Sequence, residues 1–319
     1  MSQNYCVSCS PHLHKDISIG RIMWSVFFAL IPAGVAGIII FGIRSLWVII
    51  VSISSALIFE YLIQKLRRQK ISLWDGSAAL TGLLLAYNLS SSVPLWIPVA
   101  GAFFAILIAK HTFGGLGKNI FNPALAARAF LIVSWPKYMT TFTQPFSVDG
   151  ITSATPLTLI KDGKINNISQ IGLSYWDLFL GRRGGCIGEV CILALLMGAL
   201  FLLWKGYISL HIPLSFILTT LFFSWVFDKN GFFKGDLLFT LLSGGLVLGA
   251  FFMATDYVTS PLSNKGKIFF GFGCGFLTFI IRRWGGYPEG VSFSILMMNA
   301  AVALIDRYLR PRIYGTKLK

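Results

Sequence analysis

Three long stretches without a charged residue limit what this chain can fold into. Residues 22–43, 76–109 and 206–227 contain no Asp, Glu, Lys or Arg. A membrane-crossing helix needs about 20 mostly apolar residues, so the first and last stretches suffice for one crossing each. The middle stretch suffices for two, with Pro94 and Pro98 at the break. The whole chain has 12% charged residues and a mean hydropathy of +0.73, whereas charged residues approach a quarter in typical soluble domains. The sequence therefore predicts an all-α integral membrane protein.

Hydropathy divides the chain into about ten predicted transmembrane helices. They cover residues 21–43, 45–64, 74–91, 94–110, 122–135, 187–204, 207–227, 237–255, 267–281 and 290–306. The fifth and the last two are short and interrupted by charge or glycine, which is typical of discontinuous helices that line a binding site. The first helix follows a polar leader without a small-residue cleavage site, so we expect it to be retained.

Two similar segments indicate an internal repeat. Residues 110–132 and 281–305 each contain a helix end, a Gly-Gly pair, a polar break and a helix rich in small residues. With five spans per half, the second half would be inverted relative to the first, as in many transporters. The alternative is that glycine-rich breaks recur by chance.

The predicted organisation has five parts. They are a cytoplasmic leader (1–20), a first five-helix repeat (21–135), an extracytoplasmic loop (136–186), a second five-helix repeat (187–306) and a basic cytoplasmic tail (307–319).

The net charge of +15 indicates membrane orientation and not nucleic-acid binding. Basic residues cluster at 65–70 and 307–319, and both clusters lie on the cytoplasmic side if the N-terminus does. The positive-inside rule favours that orientation. The pairs Arg182–Arg183 and Arg282–Arg283 are exceptions on the outer side.

Cysteines and carboxylates carry weaker signals. The C-x-x-C of Cys6 and Cys9 is followed by two histidines within nine residues, but zinc sites usually hold two ligand pairs apart, so a leader with reduced thiols is favoured. The other cysteines are expected to be packing residues in helices: Cys186, Cys191 and Cys274. Intramembrane carboxylates are functional by default, yet solvated capping at span ends is the favoured interpretation for most of Glu60, Asp75, Glu189, Asp256 and Asp306.

The helix predicted after "GKNIFNP" has two interpretations. Its N-terminus offers a positive dipole end to an anion or an electron-rich ring. Alternatively, it is a plain connector with Pro123 in the first helical turn.

The extracytoplasmic loop carries the most distinctive motif. A long loop inside a compact membrane domain is more often functional than idle. Within it, "DGITSAT" combines Asp149, Thr152, Ala154 and Thr155. These residues resemble the flavinylation motif Asp-x-x-Ser/Thr-Gly-Ala-Thr, with Ser153 where Gly is usual.

Further motifs occur in the order and spacing of one family. They are "SPHLH", "FGGLGKNIFNPALAARAFL", "GRRGGCIGE", "TDYVTSPLSNKGK" and "RRWGGYPEGVSFSILMMNA". Together they resemble the family comprising the D subunit of the Rnf electron-transport complex and the B subunit of the sodium-pumping NADH:quinone oxidoreductase. The resemblance covers residues 7–312, and the short leader favours the Rnf branch.

The resemblance implies a fold and cofactors. The expected fold has ten helices in an inverted repeat, similar to urea channels, in a bacterial or archaeal inner membrane. FMN is expected on Thr155 through a phosphodiester bond, with a second, noncovalent flavin such as riboflavin. Four arginines are candidate contacts of the FMN phosphate, with interfacial anchoring as the alternative: Arg182, Arg183, Arg282 and Arg283.

The implied function is electron transfer through covalent FMN, coupled to Na⁺ or H⁺ translocation, between reduced ferredoxin and NAD⁺. Other subunits, among them a second flavoprotein and iron–sulfur subunits, would handle NAD and ferredoxin, and a flavin transferase would attach the FMN. Two alternatives share the fold: a urea-channel-like permease without a redox role, and a structural assembly subunit in which Thr155 is dispensable.

Overall fold

The computed structural model describes residues 18–146, 152–161, 172–228, 231–287 and 289–309, and most of them are helical. The first half contains α1 Ile19–Phe41, α2 Ile43–Leu66, a 3₁₀ turn Leu73–Asp75, α3 Ser77–Tyr87, α4 Trp96–Phe103 continued by a π-helix Phe104–His111, and α5 Pro123–Ser134. The connecting region contains α6 Pro136–Thr140, α7 Pro156–Lys161 and α8 Tyr175–Leu180. The second half contains α9 Ile192–Trp204, α10 His211–Val226, α11 Leu237–Leu242, α12 Leu246–Leu248 continued by a π-helix Gly249–Met253, α13 Asn264–Trp284 and α14 Val291–Tyr308.

Three of these helices, α1, α2 and α14, are long and apolar enough to cross a membrane. Five shorter apolar helices accompany them, and large hydrophobic side chains are exposed along several helices. The architecture is that of a mostly helical membrane protein, as predicted. Ten crossings and an inverted repeat stay predictions.

Two short antiparallel strand pairs occur among the described residues. Strand β1 (Phe142–Thr143) pairs with β2 (Thr152–Ser153), so that Phe142 lies opposite Ser153. Strand β3 (Phe227–Asp228) pairs with β4 (Gly231–Phe232). The first pair brings the flavinylation motif back to the end of α6.

The segments that connect the helices form two sets, one on each of two opposite faces of the protein, and hydrogen bonds join the segments within each set. The first set includes contacts of Phe146 N with Ile40 O and of Arg44 Nη2 with Ser92 O, at 3.0 and 3.1 Å. We call the side of the protein with these loops the Thr155 face, since α7 lies there. The second set includes the contact of Arg67 Nη1 with His111 O, at 2.6 Å, and lies on the opposite face.

The prediction that the last two helices are short and interrupted is wrong. Helix α13 runs for 21 residues from a Ser263 cap, whose hydroxyl accepts the Gly266 N–H. Lysines and arginines shorten its apolar stretch without ending the helix. Its glycines permit close packing: a Cβ at Gly271 would lie 1.9 Å from Ser215 Oγ of α10. The fifth predicted helix is short, since α5 has 12 residues.

The interruption lies instead between α11 and α12. The chain leaves the helix at Ser243 and resumes it at Leu246, with Gly244 at a φ of +67°. Breaks of this kind need other groups to satisfy the freed backbone, and here they come from arginine side chains.

The segment before α9 is another non-helical part of the interior. Ile187 N donates to Leu89 O at 2.9 Å, and Gly188 N donates to Tyr87 O at 3.1 Å. For this reason α9 begins at Ile192 and not at residue 187 as predicted. A Cβ at Gly188 would lie 2.2 Å from the Tyr87 ring, so this approach requires glycine.

Candidate functional site

Thr155 lies at the start of α7 and is buried, with 5% of its surface exposed. Its Oγ1 lies 2.7 Å from Thr158 Oγ1 and accepts the Thr158 N–H at 3.2 Å. Ala154, directly before it, is exposed, and the backbone of Thr152 pairs with Thr143. Asp149 falls outside the described residues. The packed structure thus shields the one hydroxyl that the motif singles out for modification.

Hydrogen bonds connect helix α7 to the C-terminal end of α13 and the residues just after it. Lys161 Nζ donates to Tyr287 O at 2.6 Å and to Ile281 O at 3.3 Å. Leu157 packs near Gly244, since a Cβ built there would lie 3.5 Å from Leu157 Cδ2. The helix that begins with the motif therefore covers the break between α11 and α12.

The four predicted arginines divide into an outer and an inner pair. Arg182 has a side chain 62% exposed and lies 3.7 Å from Asp177 Oδ1. Arg283 donates to Asp228 O at 3.5 Å. Both side chains thus contact groups of neighbouring loops, and phosphate binding or interfacial anchoring by either stays a prediction.

The inner pair, Arg183 and Arg282, contacts the helix break. Arg183 is 3% exposed, and its Nη2 donates to Gly244 O at 3.4 Å. Arg282 Nη2 donates to Ser243 O at 3.2 Å, and its Nη1 to Thr240 O at 3.3 Å. The two guanidinium groups supply the hydrogen bonds that the broken helix lacks.

Arg128 and Glu289, to which no sequence motif assigns a role, form an ion pair beside this site, and their side chains are 7% and 12% exposed. Arg128 Nη1 also donates to Asn88 Oδ1 at 2.5 Å, and its Nη2 contacts Cys186 Sγ at 3.7 Å. The available signal was that Arg128 is the single charge in the predicted fifth span, because intramembrane charges are rare and paired.

Glu189 contradicts the expectation of solvated capping. It is 2% exposed, and its Oε1 accepts the Cys186 N–H at 3.2 Å. Cys186 precedes α9 and so is not a packing residue within a helix. Cys186, Glu189 and Glu289 have ligand atoms within 4.8 Å of one another, but the adjacent Arg128 and Arg183 disfavour a metal cation there.

Several buried polar atoms around the helix break have no hydrogen-bond partner among the described residues. They are Nε of Arg128, Arg183 and Arg282, Oε2 of Glu189 and Oγ of Ser243. Unpaired buried polar groups are rare in folded proteins and call for a water, ion or ligand. Guanidinium N–H groups suit a phosphoryl or carbonyl oxygen. This donor set, beside the helix α7 that directly follows Thr155, fits an FMN attached to that threonine.

Helix α8 lies at the edge of the site. Ser174 and Asp177 form a capping box at its start, and Tyr175 Oη donates to Asp236 Oδ2 at 2.5 Å. The hydrogen bond to Asp236 raises the pKa of Tyr175. Trp176 is 71% exposed, which agrees with an aromatic side chain at a membrane interface.

A second polar cluster lies toward the opposite face. Lys110 Nζ contacts Glu60 Oε1 and Oε2 at 2.9 and 3.0 Å and Ser77 Oγ at 2.8 Å. Glu60 is 2% exposed, so it too is an interior ion-pair partner and not a solvated cap. Lys110 and Asp256 line a neighbouring cavity of about 50 Å³.

The start of α5 follows the second of its two interpretations. Asn122 caps the helix, its Oδ1 accepting the N–H groups of Ala124 and Leu125 at 3.1 and 3.4 Å, and Pro123 occupies the first turn. Asn122 Nδ2 donates to Met253 O at 3.3 Å. The side chain of Asn122 thus takes the two N–H groups that an anion would need.

Comparison with known proteins covers almost the whole chain. Residues 6–315 match the NQR2, RnfD, RnfE family. The chain is 47% identical to the D subunit of the proton-translocating ferredoxin:NAD(+) oxidoreductase complex of Clostridium ljungdahlii, over 98% of this chain and 97% of that relative. It is also 47% identical to the D subunit of the Na(+)-translocating ferredoxin:NAD(+) oxidoreductase complex of Acetobacterium woodii, over 99% and 97%. Identity to the D subunit of the ion-translocating oxidoreductase complex of Salmonella paratyphi A is 37%, over 97% and 98%.

Proposed function

The chain belongs to the NQR2, RnfD, RnfE family, and we propose that it is the flavin-carrying membrane subunit of an ion-translocating ferredoxin:NAD⁺ oxidoreductase complex. FMN joined to Thr155 supplies the redox chemistry when bound, and the protein supplies position and electrostatics. The relatives named as D subunits of such complexes support this assignment. Partner subunits, among them a second flavoprotein and iron–sulfur proteins, bind NAD and ferredoxin in this proposal.

The observation that carries the proposal is the position of Thr155 above the unpaired polar atoms of the helix break. Its hydroxyl is the attachment oxygen of the motif, and Arg183 and Arg282 lie under the same helix with unpaired Nε–H groups. A permease or a structural subunit has no need for this combination of motif and donors. Arg182 and Arg283, which face the loops, are better assigned to anchoring.

The contacts of α7 and the burial of Thr155 would hold the flavin attachment in place. Lys161 and Leu157 keep α7 against the helix break. Burial of Thr155 excludes water from the phosphodiester bond once α7 has packed. Attachment must therefore precede packing, because a transferase needs access to the hydroxyl.

The coupling ion does not follow from similarity. The relative named proton-translocating and the relative named Na⁺-translocating are both 47% identical to this chain. A location in the inner membrane, cytoplasmic termini and an extracytoplasmic Thr155 face complete the proposal. The second, noncovalent flavin stays a prediction of the resemblance, without residues assigned.

The test is covalent flavin on the purified subunit. The protein is co-expressed with a flavin transferase, denatured, and measured for in-gel flavin fluorescence and the added mass of FMN. We expect both signals in the wild type and in Thr158→Val, the matched control, and neither in Thr155→Val. A wild type without added mass would favour the permease, and a signal that persists in Thr155→Val would refute the attachment site.

A further inference from the structure

Three guanidinium groups and two carboxylates meet around the break between α11 and α12. Arg183 and Arg282 contact the break itself, and Arg128 pairs with Glu289. Glu189 reaches the break from the other side, since a Cβ at Gly245 would lie 2.9 Å from its Oε2. We call these five residues the arginine cluster. Its formal charge is +1, and three of its members, Arg128, Arg183 and Glu189, are buried.

The arginine cluster has a specific pattern of unsatisfied groups. The Nε atoms of its three arginines are buried donors without a partner among the described residues, and Glu189 Oε2 is a buried acceptor without one. Leaving such groups unpaired is destabilising, and more so for charged groups. A ligand that fits this site offers acceptor oxygens to the arginines and one N–H to the glutamate.

The position of the arginine cluster indicates which ligand reaches it. Leu157 lies near Gly244, and Arg282 Nη2 would lie 2.9 Å from a Cβ at the same glycine. The cluster is therefore next to α7, the helix that directly follows Thr155. A group tethered to this threonine is confined to its neighbourhood at high effective concentration.

We propose that the arginine cluster binds the pyrimidine edge of the flavin ring. That edge presents two carbonyl oxygens on either side of an imide N–H, which matches guanidinium donors beside a carboxylate acceptor. This inference rests on the proposed attachment of FMN at Thr155. It makes Arg183, Arg282 and Glu189 positioning residues that set the electron affinity of the ring, beyond any contact with the phosphate.

Two substitutions in the arginine cluster should have opposite effects on the flavin midpoint potential. Arg282→Lys keeps the charge but removes the Nε–H donor, so the electron-rich reduced ring loses stabilisation and the potential should fall. Glu189→Gln removes a negative charge beside the ring, so the potential should rise. Arg182→Lys is the matched control on an exposed arginine and should leave the potential unchanged.

The experiment first measures the mass of each purified variant and then titrates its flavin by spectroelectrochemistry. A wild type without FMN mass refutes the proposed function. FMN present in every protein, with wild-type potentials in both cluster variants, refutes the arginine cluster alone. Shifts of the same sign in both variants also refute it, because they would reflect a general disturbance.

A second measurement needs no variant and applies even where a substitution prevents folding. Infrared difference spectra of the wild type report the two carbonyl stretches of its flavin. Guanidinium groups donate charge-assisted hydrogen bonds, which are stronger than those of neutral donors. Both frequencies should therefore lie below those of the denatured protein, whose flavin carbonyls accept hydrogen bonds from water. Coincident bands in the native and denatured protein would overturn the proposal, as would bands that respond to added inorganic phosphate, since the cluster would then be a site for free anions.

Discussion

Replacement of Lys110 by methionine should destabilise the fold severely, because it removes the ammonium partner of the buried Glu60 carboxylate and leaves that carboxylate only its contacts with Gln64 and His111 among the described residues. Lys110 Nζ lies within 3.0 Å of both oxygens of Glu60 and 2.8 Å from Ser77 Oγ. Both side chains of the pair are almost fully buried. Breaking a buried ion pair from one side costs about 3–5 kcal/mol. The unfolding equilibrium constant should therefore rise by a factor of roughly 10² to several 10³, since about 1.4 kcal/mol corresponds to a factor of ten.

We expect the loss of stability to come from the Glu60 carboxylate, which no longer has the ammonium beside it, and not from changed packing of the Lys110 side chain. A double substitution separates the electrostatic contribution from the packing contribution. Glu60→Gln combined with Lys110→Met removes the carboxylate together with its partner. The free energy of unfolding of the double variant should therefore exceed that of Lys110→Met alone. Reversible unfolding by SDS in mixed micelles, followed by tryptophan fluorescence, measures all of these free energies.

The matched control is Lys118→Met, a substitution of an exposed lysine in the following loop. Exposed substitutions usually change stability by less than about 0.5 kcal/mol. A cost below about 1 kcal/mol for Lys110→Met would contradict the magnitude expected for a buried pair. A double variant no more stable than the single one would contradict the mechanism.

Three further predictions follow from contacts described above. Gly198→Val should cost about 1–3 kcal/mol by overpacking, because even a Cβ at Gly198 would lie 2.1 Å from Ala29 O of the neighbouring helix; thermal unfolding in detergent measures it. The hydrogen bond to Asp236 raises the pKa of Tyr175, so its stabilisation is present below the ordinary tyrosine pKa of about 10 and is lost as the pH rises through the raised value; unfolding at alkaline pH should show this loss in the wild type and not in Tyr175→Phe. Lys161→Gln should speed FMN attachment in a timed transferase assay, because the helix that buries the attachment hydroxyl loses its contacts with two carbonyls.

Each of these predictions has a control or a contrary outcome. Gly286→Val should be tolerated, since a Cβ there meets nothing within 4 Å. An equal alkaline loss of stability in Tyr175→Phe and the wild type would exclude the tyrosine as its source. Lys137→Gln, an exposed lysine on the same face, should leave the attachment rate unchanged, and an equal acceleration there would point to a charge effect.

Hydropathy predicted where the helices lie but not where their interruptions fall. Glycines can break a helix or let a neighbour approach, and sequence alone does not distinguish the two. In α13, Gly271 and Gly275 both face α10 at contact distance, so the helix stays continuous. Between α11 and α12 the chain does break, and the Ser-Gly-Gly of residues 243–245 was the available signal.

The site was predictable as a motif and not as an arrangement. Thr155 could be singled out by its neighbours in sequence, whereas Arg128 and Glu289 meet only through the tertiary fold. The burial of Glu60 and Glu189 was also not predicted, since both were expected to be solvated caps at span ends. Both lie near the ends of predicted spans, yet neighbouring segments enclose them. Arg182 and Arg183 are adjacent in sequence, yet the Arg182 side chain is exposed and the Arg183 side chain is buried. The turn directs the first outward and the second inward.

The pairing of the segment before α9 with the end of α3 has a consequence for synthesis of the protein. The carbonyls of Tyr87 and Leu89 accept N–H groups that lie about 100 residues later in the chain. At a translation rate of about 5–20 residues per second, these acceptors wait roughly 5–20 seconds for their partners. An unpaired carbonyl is costly in lipid. During that interval the nascent first half needs water, the insertion machinery or another chain to satisfy those groups.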